Sequence, residues 1–223
     1  MRQLPFPDRA AAGRALAAEL SAQSFKSPVV YALPRGGVPV AVEIAKALNA
    51  PLDLLLVRKI GAPGQEELAV GSIVDGERPD IILNEDIIAA LGVSRPQIES
   101  VAARELREIE RRRALYLPGR APVSAAGRTA ILVDDGVATG ASMKAAIAAV
   151  RRRTPERVVV AAPVAAPETA AELKTLADDV VCLDTPARFG AVGFFYRDFH
   201  QLEDDEVIAL LASSGEATTH CGD

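Results

Sequence analysis

The chain has 223 residues and a formal net charge of −5, with 49% hydrophobic and 25% charged residues. At about 150 residues per domain, this length fits one domain with a small appendage, large enough to bury a core without disulfides or a structural metal. The composition excludes wholesale disorder, and the acidic balance disfavours a broad nucleic-acid or acidic-membrane surface. Aromatics make up only 4% and Trp is absent, so Ala, Val, Leu and Ile must fill the core. Cys182 and Cys221 stand in unlike contexts without metal-ligand spacing, and the N-terminal segment carries no apolar signal region. No apolar stretch approaches the roughly 20 residues of a membrane span. The expectation is a reduced, cytoplasmic protein with no membrane or nucleic-acid partner.

In chain order, Asp8 can cap a helix through about residue 22, with Leu16 and Leu20 on one face. Residues 29–33 read as a buried strand, followed by a helix with Pro39 in its first turn. Residues 52–57 read as a second strand. Residues 60–80, rich in Gly, Pro and acids, read as a long flexible excursion or a hairpin. Asn84 can cap a short helix, and Ser94 with Gln97 forms a capping box for a longer one with Ile98, Val101, Ala102, Leu106 and Ile109 as its apolar stripe. Strand 129–133, helix 142–152, strand 158–164, a helix after Pro167 and strand 180–183 continue the alternation. Strand–helix alternation predicts an α/β fold, a doubly wound parallel sheet with helices on both faces. The Gly- and aromatic-rich stretch 186–199 breaks the pattern before a last helix near 203–212.

The strongest chemical signal is the string from Ile131 to Ser142. A buried strand ends in Asp134 and Asp135, a short loop with Ala138, Thr139 and Gly140 follows, and a helix opens at Ala141 and Ser142. Open parallel sheets bind ligands at the carboxyl ends of their strands, and a helix N-terminus with nearby hydroxyls suits a phosphate. Two carboxylates would repel that phosphate unless the ligand also brings hydroxyls, since ionised carboxylates only accept hydrogen bonds. A ribose 5-phosphate meets both demands.

The first strand ends in Pro34, Arg35, Gly36 and Gly37. Two glycines let the backbone turn sharply and approach a ligand, and Arg35 adds a permanent charge. Alone this reads as a tight turn. Paired with the acidic string on the same sheet, it reads as a second anion site.

The 134–142 string resembles the phosphoribosyl-pyrophosphate motif of type I phosphoribosyltransferases. The Arg35-Gly36-Gly37 turn resembles their pyrophosphate loop, and Arg58-Lys59, opening the excursion, resembles their basic residue before a flexible loop. The resemblance implies a type I phosphoribosyltransferase-like core over 1–185, with a flexible loop at 61–80 and an inserted helical segment at 84–118, and a small C-terminal hood and helix over 186–223. It implies transfer of ribose 5-phosphate from 5-phosphoribosyl 1-pyrophosphate (PRPP) to a small nitrogenous base. Asp134, Asp135 and Lys59 would be catalytic, the acids on the ribose hydroxyls. Ala138, Thr139, Gly140, Ala141 and Ser142 would hold the 5-phosphate; Arg35, Gly36, Gly37 and Arg58 would serve the pyrophosphate end. Mg²⁺ would be bound mainly through PRPP and water, without a dedicated protein metal site. A non-catalytic PRPP-sensing regulator is the alternative, and the oligomeric state stays open.

Ala138 stands where 6-oxopurine enzymes of this family usually carry an Asp, which counts against hypoxanthine and guanine as acceptors. Phe189, Phe194, Phe195 and Tyr196 are the candidate base pocket. Their rings either stack on a base or seal the hood against the core. Arg111, Arg112 and Arg113 read as a solvent-facing helix end, and His200 and His220 stand too isolated to be ligands or bases.

Overall fold

The computed structural model describes residues 4–76 and 79–215; His220 and Cys221 lie outside them. Two sheets organise the chain. The first is five-stranded and parallel, built from β1 (Val29–Ala32), β2 (Leu52–Leu54), β6 (Thr129–Val133), β7 (Arg157–Val164) and β8 (Asp179–Asp184) in the order β2-β1-β6-β7-β8. The chain order therefore reverses between β1 and β6, which is where open α/β sheets place their ligands.

Period-two alternation explains how this sheet is covered. Val30, Ala32, Ile131, Val133, Val159 and Ala161 point into one core, which contains residues of α1 (Arg9–Ser21), α2 (Gly37–Leu48), α4 (Arg95–Tyr116) and α7 (Asp204–Gly215). Val29, Tyr31, Ala130, Leu132, Val158 and Val160 point into the other, with α5 (Ala141–Arg152) and α6 (Pro167–Leu176). Every one of these strand residues is at most 1% exposed. Such continuous apolar strands belong to sheets covered on both faces.

The caps follow the sequence. Asp8 accepts from the Ala11 N–H at 2.6 Å, and Asn84 accepts from Ile87 N–H at 3.2 Å at the head of α3 (Glu85–Leu91). Gln97 Oε1 accepts from Ser94 N–H at 3.0 Å, closing the reciprocal half of a capping box.

The excursion differs from a structureless loop. It folds into a three-stranded antiparallel sheet of β3 (Val57–Ala62), β4 (Gln65–Val74) and β5 (Asp80–Leu83). The second strand of the parallel sheet accordingly stops at Leu54, and Val57 starts the other sheet. Ile60, Val70 and Ile73 bury their side chains in a cluster with Ile98, Ala102 and Ile109 of α4. The support comes from a helix about forty residues downstream, so local composition conceals it. Gly61 sits at a register shift, where a Cβ would lie 2.5 Å from the Glu66 carbonyl oxygen.

The arginine triplet also differs from a solvent-facing run. Arg111 and Arg112 do pair outward with Glu108, at 2.8 and 2.7 Å. Arg113 turns inward, with its side chain 15% exposed, to Asp53 at 2.8 Å and Asp75 at 2.7 Å. Helical spacing places it on the same face as Ile109 and Tyr116. Among the described residues, no helix is long and apolar enough to cross a membrane.

Candidate active site

The turns after β1 and β6 interlock. Leu33 N–H donates to the Val133 carbonyl at 2.9 Å, and a Cβ on Gly37 would lie 2.5 Å from that same oxygen. A Cβ on Gly36 would lie 2.1 Å from Asp135 Oδ2. Both glycines are thus required by close approach. The Pro34–Arg35 peptide is cis. Gly36 and Gly37 stand directly against Asp135 and Asp134, while the Arg35 guanidinium lies 3.7 Å from Asp204.

The two carboxylates have different surroundings. Asp134 lines a cavity of about 190 Å³ together with Ala138, Thr139, Gly140, Ala141 and Ser142. Its Oδ1 accepts from the Asp135 N–H at 2.9 Å. Burial raises the Asp134 carboxyl well above the usual carboxylate range, and the Asp135 charge raises it further. Asp135 is 9% exposed and turns inward to Arg9, whose Nε donates to Oδ2 at 2.7 Å. Burial pushes Asp135 up too, while Arg9 opposes the rise. The pair therefore divides its work: Asp134 faces the cavity, and Asp135 braces the turn from behind.

The loop lining this cavity leads into α5. Gly140, its cap, has φ of 70°, a left-handed conformation that favours glycine, and a Cβ there would lie 2.6 Å from Thr169 Cγ2. Thr169 Oγ1 donates to the Ala138 carbonyl at 2.5 Å, fixing the loop from α6. The opening N–H groups of a helix lack intrahelical acceptors, and here Thr139 and Ser142 add exposed hydroxyls beside them.

The cations of β3 lie elsewhere. Arg58 and Lys59 line a separate polar cavity of about 330 Å³ with Glu66, Glu67, Arg104 and Glu105. Glu105 Oε2 accepts from Arg58 Nε at 2.8 Å and Nη2 at 2.6 Å, and Lys59 Nζ lies 3.2 Å from Glu67 Oε2. In this conformation Arg58 and Lys59 do not line the Asp134 cavity.

The four hood aromatics separate by role. Phe195 and Tyr196 are 9% and 5% exposed and join Phe6 in a cluster, with Phe189 packed against it. Tyr196 OH donates to the Asp135 carbonyl at 2.5 Å, and Arg9 lies 3.9 Å from the centre of the Phe199 ring. Of the two alternatives for these rings, the packing of Phe189, Phe195 and Tyr196 is that of a seal between hood and core. Phe194 is 77% exposed and remains available to stack. The hood also reaches the site: a Cβ on Gly136 would lie 2.5 Å from Val192 Cγ1.

Sequence reasoning did not find Arg9 as a partner of the acidic pair. The contact joins positions 126 residues apart and leaves no local pattern. His200 is not isolated either; Asp198 and Glu206 flank its ring at 2.9 Å each and raise its pKa.

The architecture is that of an α/β protein with a five-stranded parallel sheet, a small antiparallel sheet, and a cavity at the switch point of the parallel one. The chain belongs to the phosphoribosyl transferase domain family, whose model matches residues 4–197. It is 47% identical over 206 residues to a Mycobacterium tuberculosis protein provisionally named a phosphoribosyl transferase, recorded in two strains. That match covers 92% of this chain and 46% of the relative, so the chain spans about half the length of the curated relatives it matches. The crystal structure of TT1426 from Thermus thermophilus aligns with a TM-score of 0.82 and 44% identity, over 96% of this chain and 99% of that one.

Proposed function

We propose that this chain transfers ribose 5-phosphate from PRPP to a small nitrogenous base, releasing pyrophosphate. The observation that carries the reading is one cavity holding both a carboxylate, Asp134, and the α5 phosphate cradle, beside the Arg35-Gly36-Gly37 turn. The 5-phosphate sits on the loop from Ala138 to Ser142, and Asp134 accepts hydrogen bonds from the ribose hydroxyls. Asp135 acts from behind, through Arg9 and the Gly36 contact. Arg35 faces the pyrophosphate end.

Mg²⁺ fits this donor set, because it prefers phosphate oxygens, hydroxyls and water with one or two carboxylates over a full protein cage. Asp134 is the carboxylate in position, and among the described residues no group of three or more His, Cys, Asp or Glu forms a metal cage. When bound, the ion neutralises charge on the leaving pyrophosphate. Phe194 offers a flat surface for the acceptor base.

A second reading, a PRPP-binding regulator without turnover, is favoured by one observation: Asp135 already holds a protein partner, Arg9. Calorimetry with PRPP and Mg²⁺, followed by assay of pyrophosphate release with added bases, separates the two. Binding with release supports transfer, and binding without release for any base supports the regulator. Absence of PRPP binding overturns both.

A further inference from the structure

The inserted helix α4 carries polar side chains on its buried face. Glu105, Ile109, Arg113 and Tyr116 follow one another at spacings of four, four and three residues, which is one side of a helix. Glu105 and Tyr116 are 7% and 3% exposed. A carboxylate this little exposed is costly unless it is paired, so its partners define its purpose.

Those partners lead to Arg58 of β3, in the polar cavity beside the hairpin, and toward Arg35 of the turn after β1. Glu105 Oε2 accepts from Nε and Nη2 of Arg58, occupying one edge of the guanidinium and leaving the Nη1 side open. Its other oxygen, Oε1, accepts from Arg104 Nε at 3.1 Å. At the far end of the helix, Tyr116 OH donates to Asp204 Oδ1 at 2.5 Å, and that same oxygen lies 3.7 Å from Arg35 Nη1. Between them, Arg113 bolts the helix to Asp53 of β2 and to Asp75, just beyond β4. The helix is therefore fixed to both sheets, grips Arg58 of β3 directly, and reaches Arg35 only through Asp204.

We propose that α4 is a positioning strut for the pyrophosphate end of the site, with Glu105 orienting Arg58 and Tyr116, through Asp204, orienting Arg35. The inference rests on the phosphoribosyl-transfer reading, which gives Arg35 its ligand, and extends it by taking Arg58, which lies outside the Asp134 cavity in this conformation, as a second group that meets the pyrophosphate. An arginine is a long, flexible cation whose planar fork must be aimed to meet an oxyanion in two hydrogen bonds. A carboxylate gripping one edge supplies that aim without neutralising the open edge's donors. Burial, then Asp204, push the Tyr116 hydroxyl up to about 12, so it stays a donor across the neutral range. The role is indirect. Glu105 and Tyr116 set the direction of groups that touch the ligand and are not themselves catalytic.

The test uses the full chain and two ligands, each with Mg²⁺. PRPP reports both ends of the site, and ribose 5-phosphate reports only the cradle. The variants are Glu105→Gln and Tyr116→Phe, with folding checked by thermal unfolding and affinities measured by calorimetry. The expected result is a loss of PRPP affinity, about tenfold for Glu105→Gln and roughly three- to tenfold for Tyr116→Phe. Ribose 5-phosphate affinity should stay within about twofold. Equal loss for both ligands means α4 only holds the fold together and overturns the strut, as does unchanged PRPP affinity in both variants. If Glu105→Gln does not fold, Tyr116→Phe decides alone. A wild-type protein that binds ribose 5-phosphate or PRPP while the variants are unaffected sinks the strut and spares the function. A wild-type protein that binds neither ligand sinks the function, and the strut with it.

Discussion

Arg9 of the first helix donates from Nε to Asp135 Oδ2 at 2.7 Å, joining the start of the domain to the loop that follows β6. The same guanidinium donates through Nη1 to the His200 carbonyl at 3.0 Å and lies over the Phe199 ring. One side chain thus ties α1, the acidic turn and the hood together.

Arg9→Ala should therefore cost about 3–5 kcal/mol of stability, because it leaves the Asp135 carboxylate buried without its counter-charge. Arg9→Lys should recover only part of this, since an ammonium lacks the planar fork that reaches both acceptors. Urea unfolding measures both, and a loss under about 1 kcal/mol for Arg9→Ala would mean Asp135 is effectively solvated.

Asp134→Asn should stabilise the free protein by about 0.5–2 kcal/mol near neutral pH while weakening PRPP binding. Burial raises the native pKa of Asp134, so the native state holds its proton more tightly than the unfolded chain. That contribution is complete below the ordinary value of 3.8 and is lost as pH rises through the raised native value. The wild-type melting temperature should fall across that interval, and the Asn variant should show a shallower fall. Parallel curves for the two proteins would show that Asp134 ionises without penalty.

Much of this was readable in the chain. The alternating strands, the caps at Asp8 and Asn84, and the interlocking of Gly36 and Gly37 with the acidic turn all rest on short-range pattern or steric need. What escaped were the long-range partners. Glu105 interrupts an apolar stripe and looks like a solvated residue until Arg58 of β3 is placed against it. The excursion hid its strands because the apolar surface supporting them belongs to α4. The hood aromatics announced a cluster, but only packing separates Tyr196, whose hydroxyl is committed to Asp135, from the exposed Phe194.

That separation gives a third expectation. Phe194→Ala should change stability by no more than about 0.5 kcal/mol, as for other exposed sites, yet raise the acceptor KM roughly tenfold through lost stacking. Tyr196→Phe should cost about 1 kcal/mol of stability by removing the bond to the Asp135 carbonyl. Steady-state kinetics beside thermal unfolding distinguishes them, and an unchanged acceptor KM in Phe194→Ala would place the base elsewhere.

The tip joining β3 to β4, with exposed Pro63 and Gly64, should be an early site of limited proteolysis in the free protein. PRPP with Mg²⁺ should protect it, because a hairpin that closes over the substrate would keep water from a ribosyl cation-like centre. Bound ligand with unchanged cleavage at the tip would make the hairpin a fixed wall.

The most direct measurement is pyrophosphate release from PRPP and Mg²⁺ across a panel of purine and pyrimidine bases. Release should require one of these bases, be poor with hypoxanthine and guanine because Ala138 offers no proton acceptor, and fall about 100-fold or more in Asp134→Asn. Release that is absent with every base, or that persists undiminished in Asp134→Asn, would contradict phosphoribosyl transfer at this site.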